Sequence, residues 1–308
     1  MSILSKAWFH DETAAYVWLE AVLWPNGPVC PHCAATDRIY AFNGKAHRIG
    51  VKKCGHCRKQ FTVKVGTVFE QSHVPLHKWL QAVHLLCSSK KGISSHQLHR
   101  ILEVTYKTAW FMSHRIREAM TDGSLSILGG EGGVIEADET YFGPKAGEAE
   151  TARHTRGPGG KRAVVGLVER GGKVRTFHPQ AATKEEISKI LRANTARKAK
   201  LMTDESRLYT EIGGEYAGHE TVCHTAGEYV RGEAHTNTIE GYFSIFKRGM
   251  RGIYQHCAEK HLHRYLAEFD FRYNQRIKLG VDDSARAVKA LEGIKGKRLT
   301  YRRPTSRD

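Results

Sequence analysis

The sequence predicts an α/β protein in which a mixed-sheet domain follows two small modules, a cysteine-pinned ribbon and a helical, helix-turn-helix-like unit. Three observations carry that prediction. Two C-x-x-C knuckles lie near the N-terminus, apolar residues recur at helical spacing between residues 75 and 120, and from residue 134 three strand-like runs give way to alternating helices and strands. These shifts set boundaries at 1–70 (N-terminal helix and ribbon), 71–121 (helical module), 122–280 (sheet domain) and 281–308 (C-terminal helix and basic tail).

Composition narrows the function. A chain of 308 residues with 40% hydrophobic content can fill a core of this size. Its 48 Lys and Arg against 32 Asp and Glu leave a formal net charge of +16, which favours a polyanionic partner, nucleic acid first. The apolar runs, such as AVVGLV, fall far short of the ~20 residues of a spanning helix. The start MSILSKAWFHDE lacks the pattern of a secretory signal. The expectation is a cytoplasmic, nucleoid-associated protein with no membrane and no small-molecule substrate.

Asp11 is a helix N-cap, and the helix it opens runs until Pro25 and Gly27 stop it. Cys30 and Cys33 form the first knuckle and Cys54 and Cys57 the second, with residues 34–53 between them. Four thiolates at ~2.3 Å suit a tetrahedral Zn²⁺, and a shell with no open position makes one structural ion. The other three cysteines, Cys87, Cys223 and Cys257, are scattered, a poor disulfide framework. RIYAFNGK and KQFTVKVGTVFE read as short strands with Asn43-Gly44 as a hairpin turn, a zinc ribbon. His32 and His56 inside the knuckles are open to reading as substitute ligands, but are read first as solvated or facing DNA.

Pro75 suits the first turn of a helix that Gly92 ends. Ser94 and Gln97 form a capping box for the next, with Ile93 and Leu98 as hydrophobic staple. Thr105 caps a third, whose Ala109, Met112 and Ile116 make an apolar stripe and leave Lys107, His114, Arg115 and Arg117 for solvent or phosphate. A tight turn and a basic second helix are the layout of a helix-turn-helix. An ordinary helical hairpin has the same spacing, and the net charge tips the reading towards DNA.

In the third part VIEAD is a first strand, KRAVVGLVE and GKVRTFHP a second and third, KLMTD a fourth and ETVCH a fifth. Thr183 and Glu186 form a capping box for a helix to about Ala196, and SRLYTEIGGEY reads as a helix. Asp138 ends the first strand and Asp204 the fourth, and sites in open α/β sheets gather at strand ends. A later helix puts Asn237, Glu240, Ser244 and Lys247 on one face and Ile239, Phe243, Phe246 and Met250 on the other. Converging carboxylates repel unless hard divalent cations sit among them, and two Mg²⁺ can activate an attacking oxygen and stabilise a leaving one. The absence of a G-x-S-x-G and of a Walker loop agrees with metal-assisted chemistry.

The motifs CPHC and CGHC, ADETYFG, MTDES, HTNTIEGYFSIFKRG and KHLHRYLAEFDFRYNQR resemble those of insertion-sequence transposases of the IS1595 (ISXO2-like) family, across roughly residues 10–280. The resemblance implies an RNase H-like fold and a DDE triad of Asp138, Asp204 and Glu240. It also implies two Mg²⁺ or Mn²⁺ ions, cleavage of transposon ends and their strand transfer into double-stranded target DNA by a homo-oligomer. Lys247 falls where the family has a lysine. Asn237 competes with Glu240 for the third position, and a carboxylate holds a cation better than an amide. Glu139 points to the opposite face of its strand and is read as supporting. Arg248, Lys107, Arg115 and Arg117 are the DNA-binding candidates. The basic loop 145–162 reads equally as a DNA contact, ordered on binding, or as a plain solvated loop; the tail from residue 295 reads as a flexible segment that adds phosphate affinity, whereas Leu262, Leu266, Phe269 and Tyr273 read as core. An RNase H-like nuclease or resolvase would share the metals without joining strands. A non-catalytic zinc-ribbon regulator would leave Asp138, Asp204 and Glu240 unexplained.

Overall fold

The computed structural model describes residues 2–42, 44, 46–123, 126–154 and 158–300. They fall into two compact units, Met1–Thr121 with Val281–Asp308, and Asp122–Gly280. In the first, α1 (Glu12–Leu23) starts where the Ala14 amide donates to Asp11 Oδ1 at 2.7 Å, and it buries Ala15, Leu19 and Leu23. The ribbon is three antiparallel strands in the order β1 (Ile39–Ala41), β2 (Lys52–Cys54) and β3 (Gln60–Phe61).

This ribbon differs from the sequence reading in two ways. Strand β2, Lys-Lys-Cys, has no apolar alternation and is legible only from its pairing. The run after β3 is not a long strand, because the Val65, Thr67 and Glu70 amides close successive turns on Thr62, Lys64 and Thr67. Those turns bury Val63, Val68 and Phe69 without a sheet. Asn43, half of the expected hairpin turn, lies outside the described residues.

The two knuckles meet. Cys30 Sγ lies 3.6 Å from Cys57 Sγ and Cys33 Sγ 3.6 Å from Cys54 Sγ, and all four sulfurs fall within 4.8 Å of one another. A tetrahedron of Zn–S bonds of ~2.3 Å has edges of roughly 3.8 Å, so this donor set fits Zn²⁺ without rearrangement. Phe61, Trp24 and Ile39 pack around it.

Three helices follow: α2 (Leu76–Ser88), α3 (Ser95–Leu102) and α4 (Tyr106–Met120). Ser94 and Thr105 cap α3 and α4 as the sequence predicts, accepting from the Gln97 and Thr108 amides at 3.1 Å each. The orphan amides of α2 are met from a distance, by Glu12, whose oxygens accept from Leu76 N at 2.8 Å and His77 N at 3.1 Å. The basic side of α4 requires a correction. His114, Arg115 and Arg117 are buried at 1%, 7% and 1% exposure, so they are not left for solvent or phosphate. The guanidinium of Arg115 is spent on the Leu299 and Glu70 carbonyls, both at 3.0 Å, and Arg117 donates to Ser113 Oγ at 3.2 Å. Arginine's several fixed donors let it be buried wherever acceptors meet them, which a hydropathy pattern does not foresee. Lys107 stays exposed.

The second unit is built on β4 (Val134–Pro144), β5 (Lys161–Glu169), β6 (Val174–Phe177), β7 (Lys200–Asp204) and β8 (Gly218–Val222). Their order is β6-β5-β4-β7-β8, with β4, β5 and β6 antiparallel and β4, β7 and β8 parallel, the RNase H-like mixed sheet. Between them run α5 (Ala149–His154), α6 (Lys184–Asn194) and α7 (Thr210–Gly213), and after them α8 (Asn237–Gly249) and α9 (Leu262–Asn274). Ile187, Leu191, Tyr209 and Ile212 cover one sheet face; Ile239, Phe243, Phe246, Leu262, Leu266 and Phe269 cover the other. The helix expected over 206–216 shrinks to α7, because the chain turns at Ser206 and Gly213-Gly214 follows at once. The basic loop contains α5, and its residues 155–157 lie outside the described ones.

The chain then returns to the first unit as α10 (Asp283–Glu292), capped by Asp282 and packed on α1 and α2. Part of the expected flexible tail is held there: Lys295 donates to the Leu23 carbonyl and Gly296 N to the Gly66 carbonyl at 2.8 Å. Residues 301–308 lie outside the described ones. Among the described residues no helix is long and apolar enough to cross a membrane.

Because the ribbon's small core is organised around the sulfurs, metal and fold are coupled there. The purified protein should carry one Zn²⁺ per chain by elemental analysis, and Cys54→Ala should lose it together with near-ultraviolet circular dichroism from Trp24.

Candidate active site

Alternation along β4 sets what each acid does. Glu136, Asp138 and Thr140 pair with Val168, Gly166 and Val164 on the face covered by α8 and α9. Glu139 points to the other face, where its Oε2 accepts from the fully buried Tyr209 hydroxyl at 2.7 Å. Gly166, opposite Asp138, has a packing reason to lack a side chain. A Cβ there would lie 2.7 Å from Ile239 Cδ1 and Phe243 Cζ, so its absence lets α8 settle against the sheet.

What holds the start of α8 is Glu136, a residue whose purpose the sequence does not reveal. Its carboxylate is fully buried and accepts from Thr238 N at 2.8 Å, Ile239 N at 3.0 Å and Thr238 Oγ1 at 2.9 Å. Arg170 Nε donates to it at 2.6 Å while Nη1 and Nη2 reach the Glu233 and His235 carbonyls. His235 Nδ1 lies 3.2 Å away without the alignment of a hydrogen bond. A carboxylate at a helix N-terminus meets orphan amides and the positive end of the dipole together.

With α8 placed, Glu240 comes close enough to Asp138 to raise its carboxyl. Asp204 ends β7 as the sequence predicts, but Asp138 does not end its strand: β4 runs on to Pro144, because the residues after Asp138 keep pairing with β5. The parallel ladder ends at Glu136 and Met202, and Asp138 and Asp204 stand two residues beyond on each strand. Burial first, then Asp204, Glu139 and Glu240, push the Asp138 carboxyl up to about 8. Burial also raises Asp204 and Glu139, although the Ser206 amide and the Tyr209 hydroxyl pull the other way. The acids are neighbours but not in contact as a set. Among the described residues, the cysteine sulfurs are the one group of three or more candidate donors within 4.8 Å.

Glu240 is restrained by residues that sequence reasoning passes over. Thr236 Oγ1 donates to its Oε1 at 2.6 Å, and His224 Nε2 lies 3.3 Å from the same oxygen. His224 sits on a short turn whose amides, His224 N and Thr225 N, donate to Glu205 at 2.8 and 3.0 Å. The Thr225 hydroxyl also binds Glu205 and, with those amides, holds its carboxyl down at about 2. The MTDES run signals Asp204 but not Glu205, since only the fold brings the 224–226 turn beside it. Lys247 is half-buried on α8, its ammonium lowered by burial and by Arg251 while Asp138 opposes them. Asn237 is exposed at the first residue of α8, and Arg248 is exposed, its Nε bound to the Ser244 carbonyl at 3.1 Å.

The family model of the ISXO2-like transposase domain matches residues 130–274, which include all of these acids. The transposase zinc-ribbon domain matches residues 10–60, which include the four cysteines, and with the sulfur cluster this makes the ion a structural zinc. A Halobacterium salinarum protein described as an uncharacterized protein in transposable element ISH50 is 31% identical over 280 residues, 86% of this chain and 91% of its own. Among solved structures, a chain in the cryoEM structure of the simian T-cell lymphotropic virus intasome in complex with PP2A regulatory subunit B56 gamma overlays with a TM-score of 0.30 and 14% identity. That overlay covers 56% of this chain and 63% of that one, less than two thirds of its length, and is too loose to bear on the site.

Two outcomes follow from the contrast between Glu136 and Asp138. Glu136→Ala leaves helix amides and Arg170 without their buried anion and should destabilise the protein by about 3–5 kcal/mol, read from urea unfolding. Asp138 titrates near 8 when folded but near ~3.9 unfolded, so between those values the folded state binds the extra proton and stability falls as pH rises. Without added divalent cation, Asp138→Asn should therefore leave the melting temperature nearly unchanged at pH 4 and raise it by several degrees at pH 8.

Proposed function

The chain belongs to the ISXO2-like (IS1595) transposase family, and on that premise we propose that it cuts transposon ends and joins them to target DNA by DDE-type, metal-dependent phosphodiester transfer. The observation that supports this most directly is the grouping of Asp138 from the middle of β4, Asp204 from the end of β7 and Glu240 from α8, with the Asp138 carboxyl raised by burial and then by its acidic neighbours. Such a donor set, all carboxylate oxygen, fits Mg²⁺ or Mn²⁺. Two such ions, when bound, activate the attacking oxygen and stabilise the leaving oxygen of an in-line displacement.

The chain's own part is to place and restrain. The middle of β4 and the end of β7 present Asp138 and Asp204, while Thr236 and His224 hold Glu240 by one oxygen. Lys247, two turns along the face of α8 that carries Glu240, offers a positive charge to a substrate phosphate. Arg248, exposed on α8, and Lys107, exposed in the first unit, are each candidates for a contact with duplex DNA. Asn237, one turn before Glu240 and exposed, is a substrate-side amide in this reading, because a carboxylate is the stronger cation ligand. Bringing two transposon ends together takes more than one protomer, so the active species is at least a dimer on DNA.

The test is strand transfer with a labelled duplex of the element's own end, a plasmid target and Mg²⁺ or Mn²⁺. Joined product should form with the wild type, vanish with Asp204→Ala and Glu240→Ala, and persist with Asn237→Ala at a reduced rate. Cleavage without joining would make the protein a nuclease or resolvase. DNA binding with no chemistry in either metal would leave a zinc-ribbon regulator.

A further inference from the structure

The first unit contains a groove that the catalytic chemistry does not use. It encloses about 280 Å³ beside α1, the 48–51 segment, β3 and the turns that follow, and it is lined by Tyr16, Arg48, Gln60, Thr62, Lys64 and Gln71 among others. Its wall depends on a missing side chain. Gly50, at φ 73°, lies on the Tyr16 ring, and a Cβ there would come within 2.4 Å of Tyr16 Cδ1.

Lys64 is the unusual group in it. The ammonium is partly buried, its hydrogen bond goes to the Ser72 carbonyl at 2.9 Å, and among the described residues no carboxylate lies within ion-pair distance of it. Burial lowers its proton affinity, and Arg115 and Arg48 add to that while Glu12 opposes it. The acids nearby are committed elsewhere. Glu12 caps α2 and binds His77 Nδ1 at 2.8 Å, and Glu70 accepts from Gly66 N at 3.1 Å and lies 3.9 Å from Arg298. Arg48 is exposed and, among the described residues, also has no ion-pair partner.

The remaining polar groups are neutral donors. Burial, and then Glu12, push the Tyr16 hydroxyl up to about 12, so it keeps its proton at neutral pH. Thr62 Oγ1 accepts from Lys64 N at 3.3 Å, which leaves its hydrogen free to donate. Gln71 Oε1 accepts from Arg298 at 2.8 Å, which turns its NH₂ to donation as well. A partly desolvated cation, a second cation and several donors, with Glu70 the one acid among the lining residues and already bonded, make a cavity whose chemistry suits an oxyanion. We propose that this groove is an oxyanion site that seats a backbone phosphodiester of bound DNA, with Lys64 and Arg48 as its charged contacts. The proposal rests on the reading of the protein as one that holds DNA, and it places a phosphate grip in the first unit, apart from the acids on the sheet.

Lysine footprinting on the wild-type chain tests this without a folding risk. Brief acetylation read by mass spectrometry should label Lys64 in the free protein and spare it in the presence of a transposon-end duplex. Millimolar inorganic phosphate as a separate arm reports the pocket's anion chemistry without DNA, so protection by phosphate alone supports an oxyanion site whether or not the duplex binds. Protection by the duplex but not by phosphate supports the strand as the source. In anisotropy titrations across salt, Lys64→Gln and Arg48→Gln should each lower the slope of log affinity against log salt by about one. Lys64 labelled at the free rate in both arms, or both variants keeping the wild-type slope, overturns the proposal. A duplex that fails to bind while phosphate still protects Lys64 would instead count against the transposase reading.

Discussion

One buried carboxylate holds the catalytic unit in register. Glu136 sits in the middle of the sheet's face and binds the first amides of α8, so the helix that carries Glu240 and Lys247 is fixed at its N-terminus to the strand that carries Asp138. A buried charge is costly unless it is well paired. Here helix amides, the Thr238 hydroxyl and the Arg170 guanidinium pair it, and the same guanidinium ties down the chain just before α8 through two carbonyls. Gly166 completes the arrangement by leaving room for Ile239 and Phe243 to press onto the sheet.

Two residues further along the same strand face, Asp138 has the opposite surroundings. It is buried beside carboxylates where Glu136 meets amides and a guanidinium, and burial first, then those acids, raise its proton affinity. Paired acids with contrasting environments separate structure from chemistry: the satisfied one holds the fold, and the frustrated one marks where a cation or a proton is wanted. The other sheet face repeats the pattern more mildly, with Glu139 quieted by the buried Tyr209 hydroxyl. Supporting residues around Glu240 come from a turn that Glu205 organises, so an acid next to Asp204 acts through three hydrogen bonds to the 224–225 backbone and side chain.

The charge excess of the chain needs a similar distinction. Arg115, Arg117, Arg162, Arg272 and Arg286 are all buried, and most of their bonds run to carbonyls or to nearby acids. A net charge of +16 therefore overstates what is free to meet a phosphate backbone. The cations on the surface include Arg48 and Arg248, with Lys64 and Lys247 partly buried.

Local signals determined much of this protein. Cysteine spacing marked the ribbon, capping residues marked α3, α4 and α6 at the right positions, and continuous apolar runs marked β5 and β7 to their ends. The apolar stripe of α8 appeared as expected, since helical period and hydrophobicity are properties of neighbours along the chain. Tertiary structure alone decided the rest. Strand β2 exists by pairing and not by pattern, and the run after β3 became turns closed by local backbone bonds, with a short bridge to the 294–296 segment. The basic face of α4 went inside because carbonyls distant in sequence, at Leu299 and Glu70, accept the Arg115 donors. The purpose of Glu136 lies in amides 102 and 103 residues away. No periodicity encodes a contact at that separation; it exists only once the sheet has brought the two segments together.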